Sequence, residues 1–367
     1  MRNLKYSVGN DVSMNDFACC LSVINDQQEV KVKASRKFAN TVAGFKACLE
    51  WLTRQFKEDL PIIFVMEATG VYHEQLAWFL HGKDLPVSIL LPNKARKYMQ
   101  ADGYKSKNDT IDARGLARIG AEKKLDCWTP PVKEFYTLRS YTRQHQSLNE
   151  LHTAVNNQLH SLEHSYYQNQ EISRQLKKTM QLFKKQIKEL EGVMLKLIKS
   201  DPVLKQHYEN ICAIKGVGML SFAVIAAETN GFALFESAAS LVSYAGYDVV
   251  ENQSGNHTGK TKISKKGNSR IRRILYMPAL CAVREDQPQF QKLYDRVFAR
   301  TEFKMKGYVA VQKKLLVMMY HLWKRNEKYN PAYDQKNVIA PDIAEATTRD
   351  ELHDKALIEE QSYCISY

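Results

Sequence analysis

The apolar residues of this chain change their repeat near Val132, and that change limits what can fold on either side of it. Upstream, short runs of β-forming residues alternate with segments of helical spacing; downstream, the spacing is helical almost throughout. Leu4–Val8, Phe17–Ile24 and Glu29–Val32 read as three strands in succession. Thr41–Phe56 has helical spacing through Val42, Phe45, Leu49 and Leu52. Pro61–Met66 is the unbroken apolar run of a buried central strand. A helix over Val71–Leu80, a strand over Val87–Leu91 and a helix over Asp109–Ala121 complete an α/β domain of mixed strand direction, residues 1–130.

Past Val132, Leu148, Leu151, Val155, Leu159 and Leu162 recur at steps of three and four. After the polar stretch Tyr166–Gln170, so do Leu176, Met180, Phe183, Ile187, Leu190, Met194 and Leu197. This predicts a helical hairpin or coiled coil over 131–200, of the kind that mediates dimers, with two ordinary core helices as the alternative. A third, mostly helical domain is expected over 201–330, with helices at Phe235–Tyr244, Asn268–Val283 and Gly307–Trp323 and a polar loop or hairpin at Val249–Ile263. Within it, Ile214-Lys215-Gly216-Val217-Gly218 reads as a tight turn between helices, offering N–H groups to a phosphate or simply stopping a helix. From Pro331 the sequence loses its periodicity, and 331–367 is expected as an acidic, partly disordered tail.

Composition narrows the function. The chain has 367 residues, 53 of them Lys or Arg against 40 Asp or Glu, a formal charge of +13. That excess favours polyanionic partners. No apolar segment reaches the roughly 18 residues of a membrane span, and Met1–Tyr6 is not followed by the apolar run of a signal peptide, so a cytoplasmic location without membrane contact is expected. The seven cysteines include no CxxC pair, and the ten histidines no HExxH spacing. A disulfide framework and a zinc site are therefore not expected.

Four carboxylates stand out by position. Asp11 follows the first strand, Glu67 ends the central one, and Asp109 and Asp112 open a helix one turn apart. Functional groups of α/β sheets gather at strand ends. Hard oxygen donors of this kind suit magnesium, and two such ions hold a phosphodiester for in-line displacement. The plain readings are an N-cap for Asp109, its first-turn partner for Asp112, and a solvated loop residue for Glu67.

Asn252–Arg284 contains no Asp or Glu, but holds Lys260, Lys262, Lys265, Lys266, Arg270, Arg272, Arg273 and Arg284. Such a cluster grips phosphates without reading bases. With Lys107, the first seven of these are the candidate nucleic-acid contacts. Tyr276 and Trp323 are candidates for stacking on bases or for core packing. Ser254, in the polar loop before the cluster, is a candidate nucleophile that would need cations or a base to act. On the residues alone, Ser264 and Ser269 are equally eligible.

Taken in order, these segments resemble the insertion-sequence 110 family of transposases, which includes bridge-RNA-guided recombinases and pilin-gene invertases. Val8-Gly9-Asn10-Asp11-Val12-Ser13 is similar to the family's Gly-Ile-Asp-Val-Ser opening, and Glu67-Ala68-Thr69-Gly70-Val71-Tyr72 to its second acidic motif. Lys107-Asn108-Asp109-Thr110-Ile111-Asp112-Ala113-Arg114 resembles its Lys-Thr-Asp-x-x-Asp-Ala motif, and the Ile214–Gly218 turn its Ile-Pro-Gly-Ile-Gly. The stretch from Tyr244-Ala245-Gly246 through Ser254-Gly255 to Ser264–Ala279 looks like its serine domain. Asn10, Asn108 and Lys215 depart from the pattern without removing a carboxylate.

The resemblance implies a RuvC-like RNase H fold at the N-terminus, with Asp11, Glu67, Asp109 and Asp112 as Mg2+ ligands. It implies that Ser254 attacks the scissile phosphate to leave a phosphoserine link to DNA. It further implies a homodimer or homotetramer with composite active sites, a structured guide RNA, and a nucleoid-associated place in a bacterial cytoplasm. Two other readings stand beside it: a RuvC-like nuclease that hydrolyses with water, and a non-catalytic nucleic-acid-binding protein.

Overall fold

The computed structural model describes residues 1–331 except 69, 105–107, 252, 256, 260, 261, 285 and 286. The expected acidic tail thus lies, from 332 onward, outside the described residues. The chain forms two compact units, Met1–Pro130 and the chain from Pro131 onward.

The first unit contains β1 (Asn3–Val12), β2 (Asp16–Asn25), β3 (Val30–Ala39), α1 (Val42–Thr53), β4 (Ile62–Glu67), α2 (Glu74–His81), β5 (Val87–Leu90), α3 (Pro92–Ala101) and α4 (Asp109–Glu122). Its sheet has the order β3-β2-β1-β4-β5. β1, β2 and β3 pair antiparallel, whereas β4 joins β1, and β5 joins β4, in parallel. The mixed directions expected from three strands followed by β-α-β are therefore present. Each of the first three strands is ten residues long, longer than the apolar runs imply, because ladder hydrogen bonds carry them through polar ends. One face packs on α1 and α2 through Phe17, Phe45, Leu52, Phe64, Leu76 and Leu80. The other is covered by α4.

That second face depends on small residues. A Cβ on Gly9 would fall 2.1 Å from the Ala113 carbonyl oxygen and 2.3 Å from the Ala117 nitrogen. One on Gly120 would fall 2.3 Å from Ser7 Oγ and 2.5 Å from Val65 Cγ2. Backbone therefore meets backbone. Since Ser7 meets Gly120 while Gly9 meets Ala113 and Ala117, α4 runs against the direction of β1, and its N-terminus reaches the carboxyl end of that strand.

The second unit contains α5 (Lys133–Glu163), α6 (Gln170–Ser200), α7 (Pro202–Ile211), α8 (Met219–Thr229), α9 (Ala238–Ala245), β6 (Val249–Val250), β7 (Gln253–Ser254), β8 (His257–Thr258), β9 (Lys262–Ile263), α10 (Ser269–Ile274), α11 (Tyr276–Arg284), α12 (Pro288–Thr301) and α13 (Lys304–Arg325). α5 and α6 pack on one another as a hairpin. Leu148 and Leu159 are buried in it as the spacing implies, as is Met194, but Leu151 is exposed. Its neighbour His152 turns inward instead, with Nε2 buried. The core of the unit surrounds α8 and α13. Trp323 belongs to it: its ring stacks on His207 with centroids 4.0 Å apart. Of the two aromatic candidates for base stacking, only Tyr276 is exposed.

Three expected helices have corrected outlines, the one over Phe235–Tyr244 beginning only at Ala238, after the N-cap Ser237. The segment expected as one helix over Asn268–Val283 is two, α10 and α11, divided at Leu275. Pro278 explains the break, because it has no N–H to give the carbonyl four residues back. The first helix after Glu67 begins at Glu74, not Val71; Gly70, at φ +62°, turns the chain between them.

Candidate acidic and serine sites

The acidic residues gather at the carboxyl end of the parallel strands. β1 and β4 are in register at Gly9 with Val65 and Asn10 with Met66, so the next residues, Asp11 and Glu67, are lateral neighbours. Alternation along a strand puts Asp11 on the face of Ser7 and Gly9, and Glu67 on that of Ile63 and Val65. Both are the face on which α4 lies. Asn10 points to the other face, buried, with its amide donating to Val8 O at 3.3 Å. Asp109 and Asp112 occupy the first turn of α4 at that strand end, where the helix dipole favours negative charge.

The N-cap of α4 is Asn108, not Asp109: Asn108 Oδ1 accepts from Ile111 N at 2.8 Å. Threonine and asparagine both cap helices, which accounts for Asn108 as a conservative departure from the family motif. Asp109 is thereby left with its carboxylate exposed, and Lys37 takes it up. Lys37 Nζ lies 2.8 Å from Asp109 Oδ2 and 3.4 Å from Asp16 Oδ1. This hydrogen bond holds the Asp109 carboxyl below, and the Lys37 ammonium above, their ordinary values. Lys37 was not visible as a site residue because β3 reads from sequence as ending at Val32; only the longer strand pairs Lys37 with Ala18 and carries it to α4.

Asn40 is a second residue that the sequence does not reveal. Its side-chain amide donates to Ser13 O at 2.8 Å and to Tyr72 O at 3.1 Å. It thus ties the loop after β1 to the turn after β4, the two segments that follow Asp11 and Glu67. Among the described residues, no three His, Cys, Asp or Glu side chains stand close enough together to hold a metal ion. The fold brings the acidic residues to one sheet end and one face, but not into a closed ligand set.

In the second unit, Ser254 is exposed on a small hairpin. β7 pairs with β8, Ser254 opposite His257, around Gly255 at φ +54°. β6 and β9 pair outside them, Val249 with Ile263. Of the loop or hairpin expected over Val249–Ile263, the hairpin is present, as a pair of two-stranded ladders. Its base is tightly built. Gly246 caps α9 at φ +72°. Arg272 donates to Ala245 O at 2.7 Å and to Lys265 O at 3.3 Å. The Ser264 hydroxyl donates to Asp248 Oδ1 at 2.7 Å. Ser264 is thus occupied in holding the loop, Ser269 opens α10, and Ser254 stands on the hairpin.

The basic residues divide in the same way. Lys262, Lys265 and Lys266 are exposed. Arg272 is spent on backbone carbonyls. Arg273 donates to Glu150 on α5, and Arg270 Nε lies 4.0 Å from Glu228. Lys107 and Lys260 lie outside the described residues. Glu228 is the polar residue that sequence reasoning missed. Its side chain is 3% exposed and accepts from Arg143 Nε at 3.0 Å. It also accepts from Asn268 at 2.8 Å. Burial raises its carboxyl, but the bonds from Arg143 and Asn268 outweigh that and hold it below its ordinary value. In sequence it is only one acid just after the apolar run Met219–Ala227, and nothing there shows its partners. Gly216, at φ +92°, turns the chain between α7 and α8 against Cys281, where a Cβ would fall 2.7 Å from that side chain; this is the helix-stop reading of the glycine pair.

Comparison with known sequences agrees with this order of parts. Residues 8–168 match a family model described as a transposase. Residues 208–295 match one described as the transposase IS116/IS110/IS902 family. Together they define a transposase with two successive family regions. Pilin gene-inverting proteins of Moraxella bovis and Moraxella lacunata are each 26% identical over 329 residues, covering 89% of this chain and 98% of theirs. An uncharacterized 42 kDa protein of insertion element IS900 from Mycobacterium paratuberculosis is 32% identical over 130 residues, 35% of this chain and 32% of that one. The chain belongs to the IS110 family of transposases.

Among solved structures, Thermus thermophilus RuvC in complex with a Holliday junction substrate covers 32% of this chain and 93% of its own, at 8% identity and a TM-score of 0.26. The Fowlpox virus resolvase with Holliday junction DNA covers 32% and 97%, at 14% identity and a TM-score of 0.25. Among the described residues, no helix is long and apolar enough to cross a membrane.

Proposed function

We propose that this transposase cuts and rejoins DNA through a covalent bond to Ser254, assisted by Mg2+ held by Asp11, Glu67, Asp109 and Asp112 in a RuvC-like domain. The observation that supports it most is the acidic corner: Asp11 and Glu67 side by side on parallel strands, on the face where α4 presents Asp109 and Asp112. The donors are all carboxylate oxygens, the chemistry a small hard cation selects. The ammonium of Lys37 on Asp109 is a stand-in that marks the corner as one that attracts a cation. When bound, Mg2+ would supply Lewis-acid polarisation of a phosphoryl oxygen. Loading requires Asp109 to leave Lys37.

The residues of the chain do the rest. Ser254 Oγ gives up its proton and bonds to phosphorus, the ester bond to one nucleoside breaks, and the leaving oxygen takes up a proton to become a hydroxyl. Attack by a hydroxyl of another strand reverses the step, so no bond energy is lost. The exposed Lys262, Lys265 and Lys266 hold phosphates near that serine, and the family resemblance supports a structured RNA as the guide and a homodimer or homotetramer as the working form. The half-buried apolar stripe of α6 is consistent with a further copy on the hairpin. The test is recombination of a plasmid carrying both DNA sites, with the RNA of the element supplied. Asp11→Asn, Glu67→Gln and Ser254→Ala should each abolish recombinant product while leaving salt-dependent DNA binding in place. Retained recombination in Ser254→Ala would overturn the serine step, and in Asp11→Asn the metal site.

A further inference from the structure

A cavity of about 260 Å³ opens in the second unit between α5, α8 and α10. Thr142, His145, Gln146 and Asn149 line it from α5, Leu220 and Val224 from α8, and Arg270 and Arg273 from α10. Its size is just below the roughly 300 Å³ at which pockets for drug-sized ligands begin. That leaves room for a single flat ring system.

The hydrogen bonds already made fix what each wall has left to offer. Asn149 Nδ2 donates to the His145 carbonyl oxygen at 2.8 Å, which assigns its amide orientation. Gln146 Nε2 donates to Glu150 Oε1 at 2.9 Å, a carboxylate that can only accept. The Thr142 hydroxyl donates to Arg139 O at 3.1 Å. Each side chain thus spends a donor on α5 itself; the second Asn149 N–H faces His145 Nδ1 at 3.3 Å and one Gln146 N–H is left, so with three oxygens this wall presents mainly acceptors. The opposite wall presents guanidinium donors. Arg273 uses one N–H group on Glu150, while Arg270 Nε is buried without a hydrogen-bond partner. Glu228 and Glu150 are shared among the guanidiniums of Arg143, Arg270 and Arg273, and Glu191 lies 3.1 Å from His145 Nε2, so Arg270 and Arg273 offer N–H donors rather than surplus charge. The Leu220 and Val224 side is apolar.

A ligand that matches these walls has N–H donors on one edge, an apolar ring face and an anion one bond network away. We infer that the cavity takes one unstacked nucleotide of a single-stranded nucleic acid, with an amino-bearing base against Thr142, Gln146 and Asn149 and its phosphate on Arg270 and Arg273. Cytosine, adenine and guanine carry an exocyclic amino group; thymine and uracil do not. Unstacked bases of single strands are read by hydrogen bonds to their edges. The inference rests on the nucleic-acid reading of the second unit and adds to it a base preference.

The experiment is fluorescence anisotropy with the full chain and labelled twelve-residue oligothymidylate, unmodified or carrying one central cytosine, beside the matching oligouridylate pair. A single dC should tighten binding by about threefold to tenfold, the worth of one or two hydrogen bonds. Thr142→Val and Gln146→Leu should each remove most of that gain while leaving binding of plain oligothymidylate unchanged. Unchanged thermal unfolding of the two variants will show that the fold is intact. Whichever backbone gains more from cytosine identifies DNA or RNA as the source of the nucleotide. Equal binding of all four oligonucleotides by the unmodified chain would overturn the pocket and leave the nucleic-acid reading standing, as would a gain that survives both substitutions. Absence of salt-dependent binding to every oligonucleotide would instead overturn the nucleic-acid reading itself.

Discussion

The ammonium of Lys37 sits 2.8 Å from Asp109 Oδ2, so one member of the acidic corner is neutralised by the protein's own cation. Both groups are exposed. The pair is therefore weak, in the range of exposed ion pairs, and serves better as a place-holder than as a brace. Replacing Lys37 by Met should raise the affinity of the protein for Mn2+, measured by calorimetry, by about fivefold or less. The same variant should lose little thermal stability. Weaker Mn2+ binding in Lys37→Met would mean that Lys37 supports the site and does not compete for it.

The seating of α4 on β1 gives a second expectation. At Gly9 any side chain would overlap the backbone of Ala113 and Ala117, which cannot move without lifting the helix from the sheet. Gly9→Ala should cost about 3 kcal/mol or more by denaturant titration. Gly192 on α6 is the control, since nothing lies within 4 Å of a Cβ there. Gly192→Ala should stabilise by about 0.5–1 kcal/mol, the ordinary gain of alanine in a helix.

Glu228 makes stability depend on pH. Its folded carboxyl titrates below the ordinary value of 4.5, so its contribution is present above that value and is lost as pH falls through the folded one. Arg143→Met leaves Glu228 buried with Asn268 and Arg270 still beside it, which should cost about 1–3 kcal/mol at pH 7. The difference from the unmodified chain should shrink as pH falls through the lowered value of the folded Glu228 carboxyl, because the unfolded chains titrate alike. Chemical denaturation of both proteins from pH 3 to pH 7 checks this; a constant difference would show that Arg143 acts by packing alone.

Much of the fold was legible because apolar spacing reports burial directly. All five strands of the first unit, the two long helices and the change of character at Val132 follow from it. α3 was not, since in Pro92–Ala101 only Ala95 and Met99 are buried, too few to show a period. α12 was missed for the same reason, with Phe290 alone buried. α8 is buried on every side, and an unbroken apolar run carries no helical period to read. In the acidic site Asp11 and Glu67 are legible because they stand at strand ends, and Asp109 and Asp112 because they open a helix. Lys37, Asn40 and Glu228 were not, because what distinguishes them is a partner distant in sequence.

The covalent step is the centre of the account, and it is tested by trapping. The protein is incubated with Mg2+, the RNA of its element and end-labelled DNA bearing the recombination site, then denatured and digested with trypsin. The expected result is labelled DNA that migrates with protein through denaturing electrophoresis, with mass spectrometry placing the nucleotide adduct on the peptide containing Ser254, and no such species from Ser254→Ala. Cleaved DNA released without any attached protein, in equal amount from both, would contradict it and leave a nuclease that uses water.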